Sequence, residues 1–512
     1  MKALMDKLHA IRSSHLYWLI IGLTLLHIIP IWAFRFFPSQ DGPSHIENSY
    51  MLLHYFDRDR PYSRYYDLNL DPVPNWFSHL AMAFLMSFLP PIAVEKLLLT
   101  AYIILFVASI LYLLNSVERE GAFFSLLAFP FIYNYLLHMG FYNFSLSFPL
   151  MFLSIGYWWR RRDRWRDWQV IVGLNLLLIL IYFCHIVSQL LAIMAILLLA
   201  LLHHRRKIHR ALFLVLALIP SYLLPFYYVY TRGTRRSGRW PSGDLWGYFA
   251  KIGSLTSYDL REYHLGRALA ILFAALVIYT IVWEKTGLIK GRLRPQIGLR
   301  DGFLLLAVVF FLLYFYMPDG MSGGGFITTR LNLYPFIIIL PWLSPYLWRP
   351  VKYGVGVIAI VLTLIHLGFT TYYYDVLNKG LEEYTSGIPF VGENETILPL
   401  SFDHRGRSAR IGIYLHAKGY YCAEAGAIML ANYEGSTDYF PLKWKPSMNP
   451  HAIIGDIWSG DANIHPESYP EPIDYVLLWS PKDKFPALDW IQRNYELIHS
   501  QGRLRLYKRT TP

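Results

Sequence analysis

The stretch Tyr17-Trp18-Leu19-Ile20-Ile21-Gly22-Leu23-Thr24-Leu25-Leu26-His27-Ile28-Ile29-Pro30-Ile31-Trp32-Ala33-Phe34 decides the fold class. It carries no acidic residue, and its length is that of a bilayer-spanning helix, which needs about 20 largely apolar residues. No small-residue cleavage pattern follows it, so it is read as a membrane anchor rather than a signal peptide. Just beyond it comes Ser39-Gln40-Asp41-Gly42-Pro43-Ser44-His45-Ile46-Glu47-Asn48. A carboxylate, an imidazole and a second carboxylate thus stand where the chain leaves the membrane. An acid placed there can act on a substrate whose reactive head lies at the lipid surface.

Composition points the same way. The 512 residues are 55% hydrophobic and 16% charged, against about 25% charged in soluble domains, and the mean hydropathy is +0.31. The formal charge of +12 is gathered in short basic clusters between apolar runs. That is a membrane-topology signal, so nucleic acid is not expected as a partner. Cys184 and Cys422 lie far apart, one in an apolar run and one near the C-terminus, which argues against a disulfide framework or a cysteine metal site.

Apolar runs lie near 17–34, 92–115, 122–138, 143–159, 168–184, 187–202, 211–230, 267–284, 301–317, 331–348 and 353–373. A shorter run, Trp76–Leu89, is bracketed by Pro72 and Pro74 before it and Pro90 and Pro91 after it; it is too short to cross comfortably. The basic clusters Lys2/Lys7/Arg12, Arg160–Arg166, Arg205–Arg210, Lys285–Arg300 and Arg349/Lys352 should all be cytoplasmic. That parity holds if Trp76–Leu89 lies on the outer surface or re-enters. The expectation is therefore a polytopic α-helical membrane protein of about 11 spanning helices, N-terminus in and C-terminus out, with residues 1–373 as the transmembrane domain.

Three loops are then external: Arg35–Pro91, which holds Asp41; Thr231–Arg267, which holds Arg232, Arg235, Arg236 and Arg239; and Pro318–Arg330, which holds Gly323-Gly324-Gly325. From residue 374 the composition turns mixed, with strand-like runs at Thr396–Leu400, Tyr475–Trp479 and Arg503–Tyr507 and a helical stretch at Ala487–Asn494. Residues 374–512 read as a small soluble α/β domain on the outer face.

Asp41 and His45 are four residues apart and share a face if the segment is helical. An acid there can take a proton from an attacking hydroxyl. Asp41 also fits the N-cap of a helix beginning near Pro43. His45 suits a donor phosphate or an interface position, and Glu47 a solvated face or the edge of a substrate pocket. Arg330 opens the run Leu331-Asn332-Leu333-Tyr334-Pro335 at a predicted membrane boundary, where a guanidinium can fork onto a phosphate or snorkel. The loop arginines suit anionic lipid headgroups, with Arg232 and Arg235 able to reach a phosphate. His138, Tyr142, Asn143 and His185 stand at predicted external helix ends; the first three suit a substrate pocket. No residues have metal-ligand spacing. No phosphate-binding loop, dinucleotide fingerprint or nucleophile elbow is present, which argues against nucleotide-sugar or ATP use.

The layout, with Asp41 soon after the first helix, the Asp41/His45 pair and the proline-bracketed Trp76–Leu89, resembles the GT-C class of integral-membrane glycosyltransferases. That class includes oligosaccharyltransferase catalytic subunits, protein O-mannosyltransferases and aminoarabinose transferases. The resemblance covers the chain to about residue 373. It implies an inverting transfer of sugar from a polyprenyl-phosphate lipid to a glycan, lipid or protein acceptor on the external face. Asp41 would be the general base, Arg330 would lie near the lipid phosphate, and Trp76–Leu89 would be a surface helix. Asp41 is followed by Gly42 where many members have a second acid, and the loop His138-Met139-Gly140-Phe141-Tyr142-Asn143 has no acid. Asn143 stands where that acid would be and could contact a sugar hydroxyl. No cofactor is expected; a divalent metal is compatible with these residues but not indicated by them. The expected location is a bacterial inner membrane, among membrane lipids, with the C-terminal domain in the periplasm or outside. The rival readings are a transporter or flippase of lipid-linked glycan, which calls for polar residues deep inside spanning helices, and a non-catalytic membrane scaffold.

Overall fold

The structure, a computed structural model, describes residues 2–232, 243–285, 298–320 and 324–510. It is mostly helical, and its contacts divide it into two units. The first comprises Met1–Pro30, Thr100–Leu136 and Phe144–Thr370; the second comprises Ile31–Leu99, Leu137–Asn143 and Thr371–Pro512.

Among the described residues, five helices are long and apolar enough to cross a membrane: His15–Ala33, Pro91–Val117, Ile186–His203, Glu262–Trp283 and Arg349–Phe390. A sixth span exists if Ile208–Ala217 and Ile219–Thr231 count as one; the pair is bent by 57°. Pro220 sits in the first turn of its second half, where the missing N–H interrupts the ladder. The helical membrane class is thus supported, but the expected eleven spans are not found.

The reasons are local. The run 122–138 forms a 3₁₀ helix, Arg119–Phe131, and a short α-helix, Tyr135–His138. Pro130 lies in the first of these, and the Asn134 side chain between them accepts from the Leu136 N–H at 3.0 Å and donates to the Phe131 carbonyl at 3.0 Å. A side-chain amide that bonds the backbone in this way competes with a continuous helix. The run 331–348 breaks into Tyr334–Ile338 and the 3₁₀ turn Leu340–Trp342, each opened by a proline, Pro335 and Pro341. Trp168–Cys184 and Asp301–Tyr316 are helices of 17 and 16 residues, shorter than a comfortable span. With fewer crossings, charge parity no longer assigns a side to each loop.

The second unit gathers the first loop and the C-terminal region. Its sheet has the order β3-β2-β5-β7-β6, built from β2 (Thr396–Ser401), β3 (Ile428–Met429), β5 (Tyr475–Trp479), β6 (Tyr495–Gln501) and β7 (Leu504–Arg509). β2 pairs in parallel with β3 and β5, and β7 is antiparallel to both β5 and β6. The central strands β2 and β5 are apolar along nearly their whole length and almost wholly buried, as expected where both faces are covered. β2, β5, β7 and the helix Leu488–Asn494 fall where the sequence places them.

Two further strands tie the first loop to this region. β1 (Tyr66–Leu68) pairs antiparallel with β4 (Leu442–Trp444), and the rings of Tyr66 and Trp444 stack at 4.1 Å. The proline-bracketed run forms Phe77–Met86, which buries Ser78, His79 and Met82 against the helix Gly42–Leu53. Leu80, Phe84 and Phe88, spaced one turn apart, are 49%, 66% and 72% exposed. This leaves an apolar stripe suited to hydrocarbon.

Candidate functional site

Asp41 is positioned from two sides. Its backbone N–H donates to the Met139 carbonyl at 3.1 Å, and its carbonyl accepts from the His45 N–H at 3.0 Å, which starts the helix Gly42–Leu53. The opposing strand of chain can approach only because residue 140 is glycine. Gly140 has φ +82°, and a Cβ there would meet the backbone of Asp41 and Gly42. Gly42 is similarly constrained: a side chain would run into Ser39 Oγ, Tyr142 Oη and Glu95 Oε1.

Asp41 occupies the N-cap position, yet its side chain makes no cap hydrogen bond. The buried carboxyl instead meets Gln40, whose Nε2 donates to Oδ1 at 3.1 Å while its Oε1 accepts from the Gly412 N–H at 3.1 Å. His416 Nε2 stands 3.6 Å from the same Oδ1. Burial pushes the Asp41 carboxyl up to about 6, against the opposing pull of His45 and Gln40. Burial drives His416 well below its ordinary value, helped by the Lys418 charge, so its imidazole is neutral near pH 7. The His416 ring lies 4.3 Å from that of Tyr433 and 5.5 Å from that of Trp458; both aromatics are only half-buried.

One turn along the helix, His45 meets His79 and Glu434. His45 Nδ1 is 3.1 Å from His79 Nε2 and 2.6 Å from Glu434 Oε1; His79 Nε2 is 2.8 Å from Glu434 Oε2. These groups are buried and close enough to hold a metal ion. Burial disfavours the Glu434 anion, but His79 and His45 outweigh it and hold the carboxyl down to about 2. Glu434 is set by its neighbour: Asn432 Oδ1 accepts from the Glu434 N–H at 3.1 Å, and Asn432 and Asn48 exchange amide hydrogen bonds at 3.1 and 3.0 Å.

Glu47 lies on the same helix with Lys418 as its charged neighbour. Burial raises Glu47 well above the carboxylate range, with Lys418 pulling the other way; burial lowers Lys418 to about 8. Lys418 Nζ also sits 4.9 Å over the Trp458 ring. Tyr142 donates to Glu95 and meets Ser39 Oγ at 3.1 Å. His138 Nε2 is 3.0 Å from the Tyr374 hydroxyl. Both ends of the Asn143 amide are used: Oδ1 accepts from the Ser78 N–H at 2.8 Å and Nδ2 donates to the Asn75 carbonyl at 2.7 Å. Asn143 therefore secures the start of Phe77–Met86 as built.

The second unit thus brings together Asp41, His45, Glu47, His138, Tyr142 and Asn143. Arg330 and His185 belong to the first unit. There the Arg330 guanidinium is largely buried, bonds the Gly325 carbonyl and lies 5.3 Å over the Phe144 ring. Arg232 ends the helix Ile219–Arg232; Arg235 lies outside the described residues, as do Arg236, Arg239 and Gly323. Sequence reasoning missed His79, His416, Lys418, Tyr433 and Glu434. No family model matches the chain, and no curated protein matches its sequence.

Proposed function

We propose that this protein is an integral-membrane glycosyltransferase of GT-C-like architecture. It moves a sugar from a polyprenyl-phosphate lipid to a glycan, lipid or protein acceptor on the external face of a bacterial inner membrane. The acceptor hydroxyl oxygen bonds to the anomeric carbon as the bond to the lipid phosphate breaks. The hydroxyl proton passes to Asp41, and the phosphate leaves with the electron pair, so the centre inverts. The resemblance to GT-C enzymes assigns the lipid phosphate to Arg330, with Arg232 and Arg235.

The observation that carries this reading is the use to which Asp41 is put. It holds the N-cap position without capping, and its buried carboxyl is turned to Gln40 and His416. Burying a carboxyl with so little direct compensation is costly, and such a cost is typical of a group kept for proton transfer. The half-buried rings of Tyr433 and Trp458 beside His416 add an apolar surface on which a substrate can rest. The deciding test is sugar transfer by purified Asp41→Asn protein.

A further inference from the structure

His45, His79 and Glu434 come from three segments distant in sequence and meet in the second unit with all three side chains buried. Two ring nitrogens and two carboxylate oxygens converge, at separations of 3.1, 2.6 and 2.8 Å. Hydrogen bonding among neutral rings does not satisfy this set. His79 Nδ1 lies 3.2 Å from the Asn75 carbonyl, which fixes the proton on that nitrogen because a carbonyl can only accept. In the neutral ring Nε2 then carries a lone pair, and it faces Glu434 Oε2 and His45 Nδ1. One hydrogen on His45 Nδ1 is left to serve an imidazole lone pair and both carboxylate oxygens. Buried lone pairs gathered around an anion call for a cation at their centre.

We propose that His45 Nδ1, His79 Nε2 and the Glu434 carboxylate bind one divalent transition-metal ion of the zinc class. Two imidazoles and one carboxylate are the donor set of zinc sites that keep a fourth position for water or a ligand. Metal–nitrogen bonds of about 2.0–2.1 Å place neighbouring donors of a tetrahedral site about 3.3 Å apart. The two nitrogens already stand at 3.1 Å, and the oxygens, at 2.6 and 2.8 Å, reach that spacing by opening about 0.5–0.7 Å. The surrounding bonds have the form that holds metal ligands in place. A metal-bound histidine usually donates its other N–H to a carbonyl or carboxylate, as His79 does to Asn75. Asn432, locked to Asn48, holds the backbone at Glu434. The site does not depend on the sugar-transfer reading, because no step of that reaction uses it.

The test is metal binding by the purified full-length chain in detergent. After chelation, wild-type protein titrated with Co²⁺ should take up about one ion per chain and show the intense d–d absorption of a tetrahedral site. Glu434→Gln and His79→Ala should lose that band, whereas His451→Ala, outside the donor set, should keep it. X-ray absorption of the zinc-loaded wild type should show two imidazoles and oxygen, with no sulfur, and needs no variant to fold. Failure of the wild type to bind Co²⁺ or Zn²⁺ stoichiometrically would overturn the proposal, leaving a proton-bridged histidine–glutamate cluster. So would an all-oxygen or sulfur shell, or a cobalt band that survives in folded Glu434→Gln protein.

Discussion

Asp41 Oδ1 and His416 Nε2 face each other at 3.6 Å, so the carboxylate of the first loop has its nearest imidazole in the C-terminal region. That separation is too long for a hydrogen bond, but such contacts often tighten only when substrate binds. His416 is a positioning residue in this account. His416→Ala should slow transfer by less than the roughly 10²–10⁴-fold that a positioned base supplies, and should displace the acid limb of the pH–rate profile. In the wild type, kcat/KM should fall as pH drops through about 6, where Asp41 takes up a proton. An acid limb that is the same in wild type and His416→Ala would remove His416 from the site.

The same carboxyl makes a stability prediction of opposite sign. Its folded pKa is raised, so the native state holds this proton more tightly than the unfolded chain does. The resulting stability is present below the ordinary carboxyl range and is lost as pH rises through about 6. Raising the carboxyl from its ordinary range to about 6 makes the ionised group cost up to about 3 kcal/mol. Asp41→Asn, which removes that cost, should melt above the wild type at about pH 7.5, with the gap closing towards about pH 5. Thermal unfolding in detergent at the two pH values checks this; a variant less stable than wild type at both would contradict it.

Asn432→Ala should destabilise the second unit. It strands Asn48 Oδ1 and the Glu434 N–H, both buried, while Asn48 Nδ2 keeps the Ser44 carbonyl, at about 1–3 kcal/mol for each unsatisfied group. Asn432→Asp keeps the acceptor for the Glu434 N–H but buries a second carboxylate beside Glu434 and loses the donor to Asn48 Oδ1, so it should be no more stable than Asn432→Ala. Denaturation midpoints of the two variants check this order.

The sequence showed most where structure is dictated locally. β2 and β5 were readable as short apolar runs, and Asp41 and His45 by their place after the first apolar run. The span count failed because hydropathy sums over residues and does not weigh Pro130, Asn134, Pro335 and Pro341, which stop helices that composition alone would continue. His79, His416 and Glu434 left no pattern to find. Each sits alone in its own segment, among Ser78-His79, Leu415-His416 and Tyr433-Glu434, and only the packing of the first loop on the C-terminal region makes them neighbours.

Arg330 tests the donor half of the proposal. Arg330→Ala should weaken binding of a polyprenyl-phosphate sugar by roughly 2–5 kcal/mol, the usual loss when one partner of a buried charge pair is removed. Arg330→Lys should restore only part, because lysine cannot fork onto a phosphate. Donor affinity that is unchanged in folded Arg330→Ala protein rules out this role.

The most direct measurement is turnover of purified, monodisperse Asp41→Asn protein against a panel of polyprenyl-phosphate hexoses and pentoses. Asparagine caps a helix as well as aspartate does and keeps the shape of the side chain, but it cannot accept the proton. The account predicts that the wild type consumes at least one donor and that the folded variant is slowed by about 10²–10⁴-fold. Near-wild-type turnover by Asp41→Asn, or a wild type that consumes no donor in the panel, would contradict it.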